Sequence, residues 1–515
     1  MTIATPAGLT EAPRQQPLRL SWSQPEDLVA HAINAAAEEG RDLKPSGSLG
    51  SSGTPGSLGS LRNRWVKAGG SLVAAVTGAT PESASTELRA VARELLRLID
   101  ELPLPTELAA AEPDDIDAIE HLAMGATGKG RERSDADTAS DELYDRIHGA
   151  WLGRAAGCLL GKPVEKIPRH GIRLIAESTS NWPIASYFTE IGLDPAIAAR
   201  FPWNRRSRPT SLIENIDGMP EDDDLNFPLI ALDLLERRGR GFTTRDVAES
   251  WLANLPAGRV FTAERITYRN LLDGYEPELA GAVQNPFRDW IGAQIRTDVY
   301  GWVNPANPAA AARLAWQDAR LSHRRNGVYG AMFVAAACAS ALVTSTVDEV
   351  LAEGLGVIPP RSRYAQAIRC GIELAHGPLG TDDALDALYA EYGQLHWVHV
   401  LNNAALLAFA LVRGAGDFQA TITLAVSGGW DTDSTGATAG SIAGALNGAR
   451  DLPAKWIDPL KNRLSTSLPG YNHIGFDELA NRTTLLARTG PTEHGLVQSG
   501  VTEHGMVQHG AAVHP

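Results

Sequence analysis

The chain has 515 residues, 43% of them hydrophobic and 21% charged, long enough for three or four average domains or for one large catalytic domain with additions. Its 61 acidic residues against 46 Lys and Arg give a formal net charge of -15, which argues against a nonspecific polyanion binder and leaves no DNA-binding signal. Three widely spaced cysteines, Cys158, Cys338 and Cys370, exclude a disulfide scaffold, a zinc ribbon and an iron-sulfur site.

Residues 1-20 have no basic head followed by an apolar core, so no secretory signal is expected there, and the stretch is read as disordered. Residues 21-110 are expected to form a small helical region. It begins with a helix over 22-38 and is interrupted by a Gly/Ser linker at 46-61. Its clearest later element is ELRAVARELLRLIDEL at 87-102, whose Leu88, Val91, Leu95, Leu96 and Leu98 keep a helical period. Residues 111-142 are acidic and turn-rich and read as a linker. From 143 to about 485 the pattern becomes Ala/Leu-rich helices with Gly- and Asp-bearing loops. Helices are expected at 145-160, 224-238, 243-254, 308-320, 327-344, 346-354, 361-375, 381-391, 397-413, 417-425 and 434-447. Strand signals are few, so the fold class is all-α. Gly327 to Val343 is the most membrane-like stretch, but it is short and Ala-rich and reads as a buried helix. The polar tail, 486-515, is expected to be flexible, and its histidines are too loosely spaced for a metal site.

Four segments carry chemistry. Residues 149-168 space glycines at 149, 153, 157 and 161, marking a close-packed helix that ends near Lys162 and Pro163, with Glu165 just beyond. Taken alone, Glu165 is a surface residue, and Lys162 is only a charge at a helix end. Residues 219-236 place Glu221, Asp222, Asp223 and Asp224 before an apolar helix. Such a run is either a solvated capping cluster or an oxygen-rich Mg²⁺ or Mn²⁺ site. Residues 426-448 run Gly428, Gly429, Trp430, Asp431, Thr432, Asp433, Ser434 into a helix with Gly436, Gly440 and Gly444 on one side. Two acids at the mouth of so small-faced a helix need a counter-charge, unless they are Asx caps. Residues 304-342 carry His323, which touches ligand or caps the preceding helix, and Arg324 and Arg325, which either meet phosphates or are simply an exposed pair.

Together these segments resemble the ADP-ribosylglycohydrolase family over about residues 143-450. The resemblance rests on RIHGAWLGRAAGCLLGKPVE, PEDDDLN, NPANPAAAARLAWQDARLSHRRNGVYGAMFVAA, LNNAALLAFALVRGAGDF and GGWDTDSTGATAGSIAGA. It implies a compact, orthogonal all-helical domain with a two-magnesium site, Mn²⁺ being able to substitute. The implied activity is hydrolysis of the glycosidic bond between ADP-ribose and an acceptor such as an amino-acid side chain. The implied metal ligands are Glu165, Glu221, Asp222, Asp223, Asp431, Asp433 and Ser434, and the water-activating carboxylate is Asp222, Asp223 or Glu165. His323, with Asn326, Gly327 and Tyr329, is implied to line the diphosphate or distal ribose. Trp430 either stacks on the base or ribose or fills the core. Asn402 and Asn403 are implied to be structural, and Tyr268, Arg269 and Trp302 are candidates for a lid or acceptor pocket.

The chain departs from the family pattern in Glu221, where Thr is usual, in the added Trp430, and in Ser434 for Thr. These departures admit two alternatives: a hydrolase of a free nucleoside, nucleotide or other small ribosylated compound, and a catalytically inactive ADP-ribose-binding protein. The implied partner is an ADP-ribosylated protein or small molecule, the implied place is the cytoplasm, and the N-terminal region is a candidate partner or lid module.

Overall fold

The computed structural model describes residues 20-43, 57-75, 84-124 and 141-489. Seven helices build the site and its supports: α1 (Pro25–Glu38), α2 (Thr86–Asp100), α3 (Asp141–Gly161), α4 (Asp223–Arg238), α5 (Asn326–Ala341), α6 (Val400–Gly414) and α7 (Thr432–Asn447). Among the described residues no sheet forms; Met219 with Leu464, Trp290 with His399 and Leu464 with Ile474 are isolated bridges. The fold is all-α, and no described helix is long and apolar enough to cross a membrane. The expected disorder at 1-20 and 486-515 and the Gly/Ser linker lie largely outside the described residues.

The centre is the antiparallel pair α3 and α7. A methyl group on Gly149, Gly153 or Gly157 would overlap the carbonyl oxygen of Gly444, Gly440 or Gly436, and one on Gly161 would overlap that of Thr432. The converse holds for Gly436, Gly440 and Gly444 against the carbonyls of Gly157, Gly153 and Gly149. Each glycine costs about 1 kcal/mol of helix propensity relative to Ala, which is offset because two backbones pack with no side chain between them. At one end the Thr432 hydroxyl donates to the Gly161 carbonyl at 2.8 Å, so the C-terminus of α3 lies beside the N-terminus of α7.

Buried helices surround this pair. α5 is buried along its whole length, as its apolar composition requires. α6 begins at Val400 rather than 397, because the His399 ring caps it by accepting from the Leu401 amide at 3.2 Å. In α4, Pro228 lies inside the helix rather than at its start. Proline has no N–H for the Asp224 carbonyl one turn back, and the buried Arg154 Nε donates to that carbonyl instead, at 2.7 Å.

The structure adds helices that periodicity alone did not reveal, among them Leu58–Lys67, Arg169–Ser178, Thr262–Leu272 and Phe476–Thr489. The first starts inside the expected Gly/Ser linker: Ser57 accepts from the Ser60 amide, and Leu58, Leu61 and Trp65 are buried. The last runs past residue 485, held by the Trp151 indole donating to Thr483 at 3.1 Å.

The stretch expected as a linker from 111 is docked on the body as far as 124. It carries a helix at Ile116–Met124, and the Glu112 carboxylate takes bonds from Arg363 Nη2 and Asn326 Nδ2, both at 2.8 Å. Nor is Arg325 exposed. It is buried and pairs with Glu39, which Arg288 also grips at 2.8 and 2.9 Å. Burial works to raise the Glu39 carboxyl, and Arg288 and Arg325 overcome it and hold the group below its ordinary range. Charge therefore fastens the N-terminal helices to the body, and α1 and α2 join the same apolar core.

Two substitutions probe these contacts. Gly157→Ala pushes a methyl into a backbone carbonyl that cannot move aside, and is expected to cost at least about 3 kcal/mol in urea unfolding. Glu39→Gln takes the shared anion from among the guanidinium groups of Arg288, Arg325 and Arg41 and is expected to cost about 3–5 kcal/mol in the same measurement.

Candidate functional site

Three helix ends meet at one cavity of about 480 Å³. The C-terminus of α3 leads through Lys162 to Glu165. The N-terminus of α4 supplies Glu221, Asp222 and Asp223, and the N-terminus of α7 supplies Asp431, Asp433 and Ser434. All seven metal-ligand candidates line this cavity. The two helix N-termini favour anions, yet their acids are used differently. Asp222 caps α4, accepting from the Asp224 amide at 3.0 Å. Asp431 occupies the cap position of α7 but makes no side-chain capping bond, so its carboxylate is not spent on the helix.

Among the described residues two clusters of possible ligand atoms form, with Glu221 and Asp223 in neither. Glu165, Asp431 and Asp433 each offer an oxygen, all within 4.8 Å of one another. Asp222, Asp224 and the Cys158 thiol form the second group, with the same mutual reach. Asp224, part of the acidic run read from the sequence but not among the ligands the resemblance implies, is almost fully buried. It pairs with Arg154 at 3.3 Å and accepts from the Ser434 hydroxyl at 3.2 Å. Lys162, read from the sequence only as a charge at a helix end, is buried with its ammonium on Asp222 and 3.3 Å from the Glu221 carbonyl. Glu221 is engaged by Arg259 at 2.9 Å and by the Ser467 amide at 2.9 Å. Glu165 pairs with Lys166 at 3.0 Å and accepts from Asn204.

Crowding of these acids sets the electrostatics. Burial, then Glu165 and Asp222, pushes Asp433 up to about 7. Burial, then Asp433, raises Asp431, and burial, then Asp222, raises Asp223 and Asp224. Burial also works to raise Asp222, but the Lys162 ammonium outweighs it and holds that carboxyl below its ordinary value. The Oδ1 of Asp433 is buried and has no hydrogen-bond partner. An all-oxygen donor set, an excess of negative charge and an orphaned carboxylate oxygen are what a hard divalent cation satisfies, so the residues fit Mg²⁺ or Mn²⁺.

The rim has the opposite sign. Arg205, Arg206 and Arg259 are exposed at the cavity mouth, with Phe261 and Trp397 as apolar surfaces. Ser21 and Trp22 from the N-terminal region complete one wall, and Arg265 donates to the Ser21 carbonyl at 2.6 Å. Arginines dispersed along the sequence carried no local signal for this rim.

His323, Asn326, Gly327 and Tyr329 do not line the cavity. His323 is fully buried with Nδ1 2.7 Å from the Ser322 hydroxyl, and burial, then Arg296, lowers its pKa well below the ordinary value. Asn326 bonds Glu112 and accepts from the Tyr364 amide at 3.0 Å, and Tyr329 donates to the Pro113 carbonyl. Gly327 is pressed against the Arg288 carbonyl and the His323 ring. Asn326 and Tyr329 thereby seat the segment around Glu112. Trp430 stacks on Tyr389, with ring centroids 4.2 Å apart and planes 12° apart, so its ring packs in the core. Its backbone adopts φ 60 after Gly429 at φ 85, which reverses the chain into α7. Asn403 accepts from the Asp431 amide at 3.2 Å and from Thr435 at 3.0 Å, and so fixes that turn. Asn402 bonds the His396 carbonyl at 3.1 Å, Arg269 bonds the Ser23 carbonyl at 3.0 Å, and Trp302 is buried. None of these three, nor Tyr268, lines the cavity.

The model of one protein family, described as ADP-ribosylglycohydrolase, matches residues 139-492. An uncharacterised protein of Archaeoglobus fulgidus is 27% identical over 326 residues, spanning 62% of this chain and 93% of the relative. A solved structure titled "ADP-ribosylglycohydrolase-related protein complex" is 23% identical, with a TM-score of 0.41, covering 68% of this chain and 99% of its own.

Asp433→Asn removes one charge from the crowded acids. The metal-free variant is expected to melt about 2 °C above the unsubstituted protein. It is also expected to lose most of the stabilisation, about 2.7 kcal/mol at a hundredfold excess over Kd, that Mg²⁺ confers on the native sequence. Scanning calorimetry with and without the ion checks both.

Proposed function

We infer the activity from one premise: this chain belongs to the ADP-ribosylglycohydrolase family. It is a divalent-metal-dependent hydrolase that cleaves the glycosidic bond joining ADP-ribose to an acceptor such as an amino-acid side chain. The observation that carries this reading is one cavity with a carboxylate floor and an arginine rim. A ligand that is a polyol at one end and a diphosphate at the other complements both.

Glu165, Asp431 and Asp433 would hold the ion. When bound it supplies positive charge that orients ribose hydroxyls and acidifies a water. The chain's own residues do the rest. Arg205, Arg206 and Arg259 face the diphosphate, for which the guanidinium fork is suited. Phe261 and Trp397 offer faces to the adenine. Of the three candidate bases, Asp222 is tied to Lys162, and Glu165 to Lys166 and Asn204. Asp223 has no ion pair among the described residues, and it takes the water's proton and returns it to the departing acceptor atom, while the water's oxygen bonds the anomeric carbon. The remaining carboxylates stabilise the positive charge that develops at the anomeric carbon as the bond breaks. Trp22 and Ser21 narrow the opening through which the acceptor leaves.

The test is release of free ADP-ribose, followed by chromatography, from peptides ADP-ribosylated on arginine or serine and from small ADP-ribosylated compounds. Release is expected with Mg²⁺ or Mn²⁺, is expected to stop with a chelator, and is expected to fall about 10²–10⁴-fold in Asp223→Asn. Tight ADP-ribose binding without release from any acceptor would make the protein a binder instead.

A further inference from the structure

We propose that the Lys162 ammonium occupies the place of a second cation, so that the cavity takes a single divalent ion, held by Glu165, Asp431 and Asp433. The inference rests on the metal-binding reading above and changes its stoichiometry from the two ions that the resemblance implies.

Local charge balance separates the two acid groups. In the second group each carboxylate already has a cation: Lys162 on Asp222, and Arg154 on Asp224. Arg154 is fixed by further bonds, to the Asp224 carbonyl at 2.7 Å and to Asp298 at 3.0 Å. Asp224 also accepts from Ser434, so that hydroxyl is spent. The third member of the group, the Cys158 thiol, is fully buried and offers sulfur rather than oxygen. Sulfur is a poor partner for a hard ion.

The other group is different. Glu165, Asp431 and Asp433 bring three carboxylates, and among the described residues their one ion-pair partner is Lys166 on Glu165, whose side chain is 38% exposed. Asp433 is 8% exposed, and its Oδ1 accepts no bond. Of the two groups, this one therefore carries both the unbalanced charge and the orphaned oxygen, while Asp223, in neither group, also has no ion pair among the described residues.

Lys162 cannot readily move aside for a second ion. It follows Gly161, which is pressed against the Thr432 carbonyl, and precedes Pro163, so its backbone is pinned. Its side chain is 7% exposed, and withdrawing it would leave Asp222 buried without a cation. A divalent ion on Asp222 would have to displace this ammonium or sit against a like charge.

The experiment titrates the metal-free full chain with Mn²⁺ by equilibrium dialysis and records the electron paramagnetic resonance of the bound ion. The native sequence is expected to bind one Mn²⁺ per chain with the spectrum of an isolated ion. Lys162→Met is expected to gain a second Mn²⁺ and a spin-coupled spectrum. Should Lys162→Met fail to fold, as judged by circular dichroism, Asp224→Asn and Asp433→Asn decide the location. Asp224→Asn is expected to keep one ion at an affinity within a few-fold of native, and Asp433→Asn to weaken binding at least a hundredfold. Two Mn²⁺ in the native chain, or loss of the ion in Asp224→Asn with retention in Asp433→Asn, would overturn the single-ion site and leave metal binding intact. One Mn²⁺ in folded Lys162→Met would overturn the role given to the lysine. No Mn²⁺ at all would overturn the metal-binding reading beneath it.

Discussion

Backbone-to-backbone contact between α3 and α7 is the constraint on which the site depends. Seven glycines let the two helices approach with nothing between them. The approach fixes where their ends lie, because helices so close can neither slide nor rotate without driving Cα atoms into carbonyls. Glu165 leaves the end of one helix, and Asp431 and Asp433 open the other. The distances among these three acids are thus set by the helix contact and not by the acids, which would repel one another if free. Scaffold energy holds like charges together, and this is how a protein keeps an ion site organised before the ion arrives.

Two adjacent acid groups share the cavity floor but solve the desolvation problem differently. Asp222 and Asp224 are neutralised from within by Lys162 and Arg154, at the cost of burying four charges whose attraction only partly offsets their lost hydration. Glu165, Asp431 and Asp433 are left in excess, and the excess is chemical potential for a cation. Arg154 links the two solutions to the fold. It fills the hydrogen-bond gap that Pro228 opens in α4, pairs with Asp224 and reaches Asp298, so one buried guanidinium ties α3, α4 and the 298 segment to the floor.

Much of this was legible in the sequence. The four-residue spacing of glycines in two distant segments announced two small-faced helices, and the acids at their ends stood out because nothing local balanced them. Helix periodicity located most of the framework. The rest failed for physical reasons. Lys162 reads as an ordinary terminal charge until the fold places Asp222 over it. Arg205 and Arg206 lie in a turn and Arg259 ends a short 3-10 helix, and they converge only in three dimensions. The segment from 111 to 124 has the composition of a linker, yet Glu112 is buried because Arg363 and Asn326 offer it bonds from other helices. The same docking accounts for Asn326 and Tyr329: their polar groups face Glu112 and Pro113, and the cavity is elsewhere.

The N-terminal helices bear on the chemistry as well as on stability. Glu39 lies among Arg288, Arg325 and Arg41, and that knot anchors α1, while Arg265 and Arg269 hold the backbone of Ser21 and Ser23. Trp22 is wedged against Phe287, Trp290 and His396, with centroids 5.6 to 5.8 Å away. Trp22 thus packs as part of the cavity wall. The cavity mouth is therefore shaped in part by chain that precedes the family-matched region, a part of the protein that contributes no carboxylate to the floor. The carboxylate floor and this part of the cavity wall are in this way built from separate stretches of sequence, and they meet where the Glu39 ion pairs and the Arg265 and Arg269 bonds fasten the N-terminal region to the body.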